Sequence, residues 1–259
     1  MNTMKESLYF EQLLKRYARS PSIALCRVPE VELLSRIILL HPVLDHCCGD
    51  GLIAEMAFPG IIMDAGIDIS NRQLDMAKKR GNYQELHWAD AGDRLPFLDG
   101  SFASVINNSG LEHIQVLEKA MAEISRVLKP GGRLHVNVLN SRYFERWPLS
   151  PKTAEHYKAF QPFYHALDEN GWADILRRSR FQNITFTDYF PESTSRILAA
   201  LDYRYSACHF RKAFFLSVLR ERFLPQSRLI IKWRKLFESL VWDSLPGMGS
   251  GFLISATKT

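Results

Sequence analysis

The chain has 259 residues, 46% of them hydrophobic, enough to bury a full core in one elaborated α/β domain or in two small ones. Its start, MNTMKESLYFEQLLKRY, is charged and amphipathic, and no apolar run approaches the ~18 residues of a membrane span, so a cytoplasmic protein is expected. The net charge of +5 is unevenly placed, since residues 191–245 hold 10 Lys and Arg against 5 Asp and Glu, and the 4 cysteines, at 26, 47, 48 and 208, lack framework spacing and read as reduced thiols.

Within residues 1–28, Tyr9, Phe10, Leu13, Leu14 and Tyr17 recur at helical spacing. They predict a helical cap that either closes over a ligand crevice or packs on a sheet. PVLDHC reads as a buried strand and LIAEMAF as the helix after it. AGIDIS is a second strand ending in Asp68, followed by a helix that Ser70 caps and Gly81 ends. ELHWAD and SFASVINN give the third and fourth strands. Apolar residues at 116, 117, 120, 124, 127 and 128 share one helical face, and Pro130-Gly131-Gly132 stops that helix before a fifth strand, RLHVNVLN. GWADILRRSRFQNITFTDYF supplies a further helix and the sixth strand, and GFLISATKT the last.

Strands alternating with helices imply right-handed crossovers and a doubly wound, Rossmann-like, mostly parallel sheet with helices on both faces. Such sheets bind ligands at the carboxyl ends of their strands, where Asp45, Asp68 and Asp90 converge. The stretch Gly49-Asp50-Gly51-Leu52-Ile53-Ala54 matches the dinucleotide pattern G-x-G-x-x-G/A, with Asp68 at the spacing of a ribose-binding acid. A nicotinamide-dependent oxidoreductase is therefore one reading. Its pyrophosphate, however, would lie close to Asp50 and Asp45. A phosphate-free cofactor carrying a sulfonium and an ammonium group, S-adenosylmethionine, suits those acids better. Its ribose hydroxyls can donate to Asp68 and its adenine amine to Asp90, each charge-assisted bond contributing on the order of 1.5–3 kcal/mol.

From about Pro29 to Asn140 the chain resembles the class I S-adenosylmethionine-dependent methyltransferases, in the style of the small-molecule enzymes of ubiquinone and menaquinone biosynthesis. The segment Asp45-His46-Cys47-Cys48-Gly49-Asp50-Gly51 aligns with the family's glycine loop, D/E-x-G-x-G-x-G. GIDIS resembles its ribose strand end, ADAGDRLPF its adenine segment, INNSGLEHI its fourth-strand segment, and EISRVLKPGGRLHV its helix–turn–strand. The resemblance implies cofactor contacts from Asp45, Cys47, Gly49, Gly51, Asp68, Ile69, Asp90, Ala91, Asn107 and Asn108. It also implies seven strands, the last antiparallel and inserted beside the sixth. Cys47 stands where the family usually has its first glycine, a departure that also fits a non-catalytic cofactor-binding protein.

His46, Cys47 and Cys48 lack metal-ligand spacing, so no metal is expected. Methyl transfer is an in-line displacement in which alignment supplies much of the rate, and a base matters only where the acceptor carries a proton. His113, Glu112 and His165 are the candidate bases. Tyr143, Phe144, Trp147, Tyr157, Phe160, Phe163 and Tyr164 follow the fifth strand and can line a pocket for a small apolar or aromatic acceptor, or join the core. The organisation expected is a single methyltransferase domain over 1–259, with a helical insertion at 191–245. In its SRLIIKWRKLFESLVWDSL, Leu229, Trp233, Leu236, Phe237 and Leu240 share a face, with Arg228, Lys232 and Lys235 beside it. That insertion reads as a structural cap or as a lid touching a membrane surface. Its charge is modest and no recognition motif accompanies it, so a nucleic-acid partner is not expected.

Overall fold

The computed structural model describes residues 2–146, 155, 157, 163–206 and 212–259. Trp147, Phe160 and Cys208 lie outside the described residues. In chain order the elements are α1 (Phe10–Arg16), α2 (Pro21–Leu34), β1 (Val43–His46), α3 (Leu52–Ala57), β2 (Met63–Asp68), α4 (Asn71–Arg80), β3 (Tyr83–Trp88) and β4 (Phe102–Asn108). There follow α5 (Leu117–Val127), β5 (Leu128–Leu139), α6 (Ser141–Glu145), α7 (Glu169–Arg178), β6 (Phe181–Tyr189), α8 (Glu192–Ser206), α9 (Lys212–Phe223), α10 (Gln226–Phe237) and β7 (Gly251–Lys258). By contacts the chain divides into a sheet unit, Leu33–Asn140, Tyr164–Thr187 and Phe252–Thr259, and a helical unit, Met1–Glu32, Ser141–Phe163 and Asp188–Gly251.

The seven strands lie in the order β3-β2-β1-β4-β5-β7-β6. β1 pairs in parallel with both β2 and β4, β2 with β3, and β4 with β5. The direction of β7 is read from its partners. Ser255 meets His135 while Lys258 donates to the Leu128 carbonyl, so β7 runs against β5. Thr185 donates to the Ser255 carbonyl and Thr259 N–H to that of Arg180, so it also runs against β6. The final strand is thus antiparallel and inserted beside the sixth, as expected.

Local chemistry accounts for these elements. All four residues of β1 are buried, the signature of a central strand covered on both faces. The Ser70 side chain accepts the Gln73 N–H at the start of α4, and Gly81 closes that helix in the left-handed conformation, φ 74°. Helix α5 buries Leu117, Ala120, Met121, Ile124 and Val127, but it ends at Val127 rather than at Pro130. Proline disfavours helical backbone at the residue before it, so Leu128 and Lys129 already belong to β5. Val116, placed on the buried face by periodicity, is the exposed N-cap. The core joins Leu44, Ile67, Val105, Val136 and Val138 of the strands to Met121, Ile124, Trp172 and Leu176 of α5 and α7.

The helical unit is tied together by acids turned inward onto its own side chains. Glu30 pairs with Arg27 and accepts the Cys26 thiol at 3.3 Å; Asp202 accepts the Tyr157 hydroxyl. Glu221 accepts from Arg204 at 2.8 Å and from Tyr205 and Lys232. Leu229, Trp233 and Phe237 of α10 are buried, whereas Leu236 is exposed. Trp233 donates to the Ala18 carbonyl at 3.0 Å and Arg234 grips Glu11 at 2.8 and 2.6 Å, so the N-terminal segment packs on α10. Helix α8 falls within residues 191–245, expected to be a helical insertion, although no separate helix was read there.

Candidate active site

The glycine loop leaves β1 through three residues of positive φ: Cys47 at 65°, Gly49 at 55° and Gly51 at 75°. Position 47 therefore lies in the left-handed region that glycine enters without cost, and a cysteine there carries strain on the order of 1–2 kcal/mol. Gly51 has a second reason to lack a side chain, because a Cβ would sit 2.8 Å from the Tyr83 ring. At Gly49 a Cβ would meet nothing within 4 Å, so its backbone faces open space.

Asp68 holds this loop in place. Its Oδ2 accepts the Gly49 N–H and its Oδ1 the Ser70 N–H, both at 2.9 Å. An ionised carboxylate offers about four lone-pair sites, so capacity remains for a ligand's hydroxyls. Asp90 accepts the Gly92 N–H at 2.8 Å through Oδ1. Beyond these strand ends opens a crevice of about 530 Å³, lined by Cys47, Asp68, Ile69, Asp90, Ala91, Asp93, Gly110, His113, Ile114, Val116, Lys119 and Tyr164 among others. Among the described residues Lys119 is the one Lys or Arg lining it, and it is ion-paired to Asp93. Three carboxylates against a single paired cation suit a ligand rich in hydroxyl and ammonium donors. They oppose a pyrophosphate.

The remaining expected residues do other work. Asp45 is buried and accepts the Tyr83 hydroxyl at 2.6 Å. Burial pushes its carboxyl up to about 7, opposed by the Tyr83 bond and reinforced by the Asp68 charge. Asp50 is turned away from the crevice by Arg80, which donates Nε to the Asp50 carbonyl at 2.6 Å and pairs with its carboxylate at 3.1 Å. Asn107 is fully buried. Its amide donates to His46 Nδ1 at 2.9 Å and to the His46 carbonyl at 2.8 Å, and its Oδ1 accepts from the Gly110 and Leu111 N–H groups. It sets the loop carrying Gly110 and His113 rather than lining the crevice. Asn108 accepts from Asn137 at 2.8 Å.

Among the candidate bases, only His113 lines the crevice. Glu112 is buried, and its carbonyl accepts the N–H groups of Tyr164 and His165; the His165 ring lies 3.2 Å from the Gln115 carbonyl. Burial, with Asp68 and Asp45 nearby, pushes the Cys47 thiol far above its ordinary range, so it is no thiolate nucleophile. Gly110 presses on it, since a Cβ there would fall 2.9 Å from Cys47 Cβ and 2.8 Å from Asn107 Nδ2. Of the expected aromatics, Tyr143, Phe144, Tyr157 and Phe163 pack against one another in the helical unit, and Tyr164 reaches the crevice. Sequence reasoning missed Asp93, Lys119 and the apolar wall of Ile114 and Val116. The run from 110 to 119 after the fourth strand was the available signal, because that strand's carboxyl end borders the switch point.

Residues 44–136 match the family described as methyltransferase domain. An O-methyltransferase of Penicillium expansum is 32% identical over 153 residues, 56% of this chain and 54% of the relative. A demethylmenaquinone methyltransferase of Lactiplantibacillus plantarum is 37% identical over 102 residues, 36% of this chain and 42% of the relative. The chain spans about half the length of the curated relatives it matches. Among solved structures, a SAM-dependent methyltransferase of Thermotoga maritima, described as a possible histamine N-methyltransferase, superposes with a TM-score of 0.62. It is 16% identical, with 96% of this chain and 99% of that one covered, a likeness of fold alone.

Proposed function

We propose, from the premise that residues 44–136 carry a methyltransferase domain of the S-adenosylmethionine-dependent type, that the chain transfers a methyl group from that cofactor to a small apolar or aromatic acceptor. The crevice at the carboxyl ends of β1 to β4, with its acids at the end of β2 and after β3, is the observation that carries this reading. Bound there, the cofactor supplies a methyl carbon already activated by its sulfonium. Asp68 and Asp90 orient its ribose and adenine by accepting hydrogen bonds, and the Gly49 backbone lets it approach. Ile114, Val116 and Tyr164 form an apolar wall for the acceptor, in keeping with relatives named for an aromatic quinone. His113, exposed on that wall, takes a proton at its ring where the acceptor is a phenol or an alcohol.

Asp68 suits the ribose of either cofactor, and the nicotinamide reading is disfavoured by the further acids Asp90 and Asp93 in the crevice. Thermal unfolding with S-adenosylhomocysteine, with NAD and without ligand separates the two. A ligand at ~100 times its dissociation constant stabilises the fold by about 2.7 kcal/mol. Stabilisation by S-adenosylhomocysteine alone supports the proposal; stabilisation by NAD alone replaces it, and stabilisation by neither removes both.

A further inference from the structure

The second surface that calls for a ligand is on the helical unit. Residues 212–237 hold 7 Lys and Arg and a single acid, a balance of +6 in a chain whose total is +5. That acid, Glu221, points inward, where Arg204, Tyr205 and Lys232 hold it. The outward face of α9 therefore carries no carboxylate. On it Leu216, Arg220 and Phe223 form one ridge at helical spacing, and Phe215, Leu219 and Arg222 the next. Phe223 is 81% exposed, Leu216 46% and Phe215 45%; on α10, Ile231 is 62% exposed between the exposed Arg228 and Lys235. Beside the second ridge lies a groove of about 350 Å³ lined by Phe215, Val218, Leu219 and Leu229, along which also lie Arg19, Arg222 and the Glu221 already tied to Arg204, Tyr205 and Lys232.

Large apolar side chains interleaved with arginines, and without acids, form an interfacial pattern: the apolar groups enter the boundary between headgroups and acyl chains while the cations meet lipid phosphates. We propose that the outward face of α9, together with the exposed face of α10, docks on an anionic lipid surface. Docking is peripheral, since no helix among the described residues is long and apolar enough to cross a membrane. Nucleic acid would engage the arginines but give no role to Phe223 and Leu216. A second copy of the same face would set Arg220, Arg222, Arg228 and Lys235 against the same four cations within a Debye length of about 8 Å at physiological salt. Of the stripe expected from the sequence, Leu229, Trp233, Leu236, Phe237 and Leu240, three members, Leu229, Trp233 and Phe237, are buried; the exposed apolar face lies mainly on the preceding helix.

The test is flotation of the whole protein with phosphatidylcholine vesicles and with vesicles of phosphatidylcholine mixed with phosphatidylglycerol. The protein should float with the mixed vesicles, stay behind with the neutral ones, and be released as salt rises. Leu216→Ser with Phe223→Ser should lower partitioning at least about tenfold, because each exposed apolar side chain adds to the buried area. Arg220→Gln and Arg222→Gln should each lower it about fivefold, the equivalent of about 1 kcal/mol per charge near an anionic surface. All four side chains are outward, so an unchanged unfolding midpoint confirms that the variants fold. Failure to float with the mixed vesicles, or equal and salt-insensitive flotation with both kinds, overturns the proposal. So does anionic binding that survives loss of Leu216 and Phe223 and is displaced by a short nucleic-acid duplex. A dimer in sedimentation that disappears in the Phe223→Ser variant would assign the face to a second copy instead.

Discussion

The two compact units use their acids in opposite ways. In the sheet unit, Asp68 and Asp90 accept backbone N–H groups at strand ends, which fixes the loops and leaves the carboxylates facing a crevice. In the helical unit, Glu30, Asp202 and Glu221 are turned inward onto cations, a thiol and phenols, binding helices together and leaving arginines outside. One unit thus presents a negative concavity suited to a cationic nucleoside, and the other a positive, partly apolar face. The near-neutral charge of most of the chain conceals this separation; only placement reveals it.

The largest effect expected from breaking this contrast is at Glu221. Burial pushes its carboxyl up, but Lys232, Tyr205 and Arg204 outweigh that and hold it below its ordinary value. Glu221→Ala leaves Arg204 and Lys232 without their shared partner and should destabilise the protein by about 3–5 kcal/mol, the cost of breaking a buried charge cluster. Urea unfolding measures it, and a loss under about 1 kcal/mol would mean the acid does not knit α8, α9 and α10 together.

Next comes Gly110→Ala, whose added Cβ collides with Cys47 and Asn107. It should cost about 1–3 kcal/mol of stability, as over-packing does, and weaken cofactor binding. Adding Cys47→Gly should restore part of the loss, and a double-mutant cycle reads the coupling. Additive losses would show that the two residues do not press on one another.

The next effect is spread over pH and is read as a slope. Asp45 has a folded value of about 7 against an ordinary 3.8. Below pH 4 both states keep the proton. Between about 4 and 7 the unfolded chain releases it while the folded one retains it, so Asp45 makes stability fall as pH rises, by at most about 1.4 kcal/mol per pH unit, and then level off. Relative to the parent, Asp45→Asn should therefore gain stability progressively across that window. A constant difference from pH 4 to 8 would contradict the burial assigned to this carboxyl.

The smallest effect is that of Cys47→Gly alone. Relief of a positive φ, less glycine's extra unfolded-state entropy, should raise stability by no more than about 1 kcal/mol and leave S-adenosylhomocysteine bound at least as tightly. Marked loss of affinity would show that the thiol supports the loop.

The sheet unit was largely legible because its signals are local. An apolar run ending in acid and glycines, the Ser70 cap and the Gly81 stop each act within a few residues. The direction of Asp50 was not legible, since Arg80, 30 residues later, decides it. Nor was the burial of Asn107 behind the wall, which depends on meeting the His46 backbone across β1 and β4. In the helical unit the apolar stripe of α10 was legible, but its fate was not. Periodicity identifies a face without naming its neighbour, and here the neighbour is the N-terminal segment at Ala18 and Glu11. The exposed apolar residues of α9 follow the same rule in reverse.

We propose that the acids at the strand ends hold S-adenosylmethionine, with Asp68 on its ribose. Calorimetric titration of S-adenosylhomocysteine into the parent and into Asp68→Ala tests it most directly. One site per chain is expected in the parent and an affinity weaker by roughly 1.5–3 kcal/mol in the variant, with the variant still folded. Equal affinity in the two proteins would contradict it.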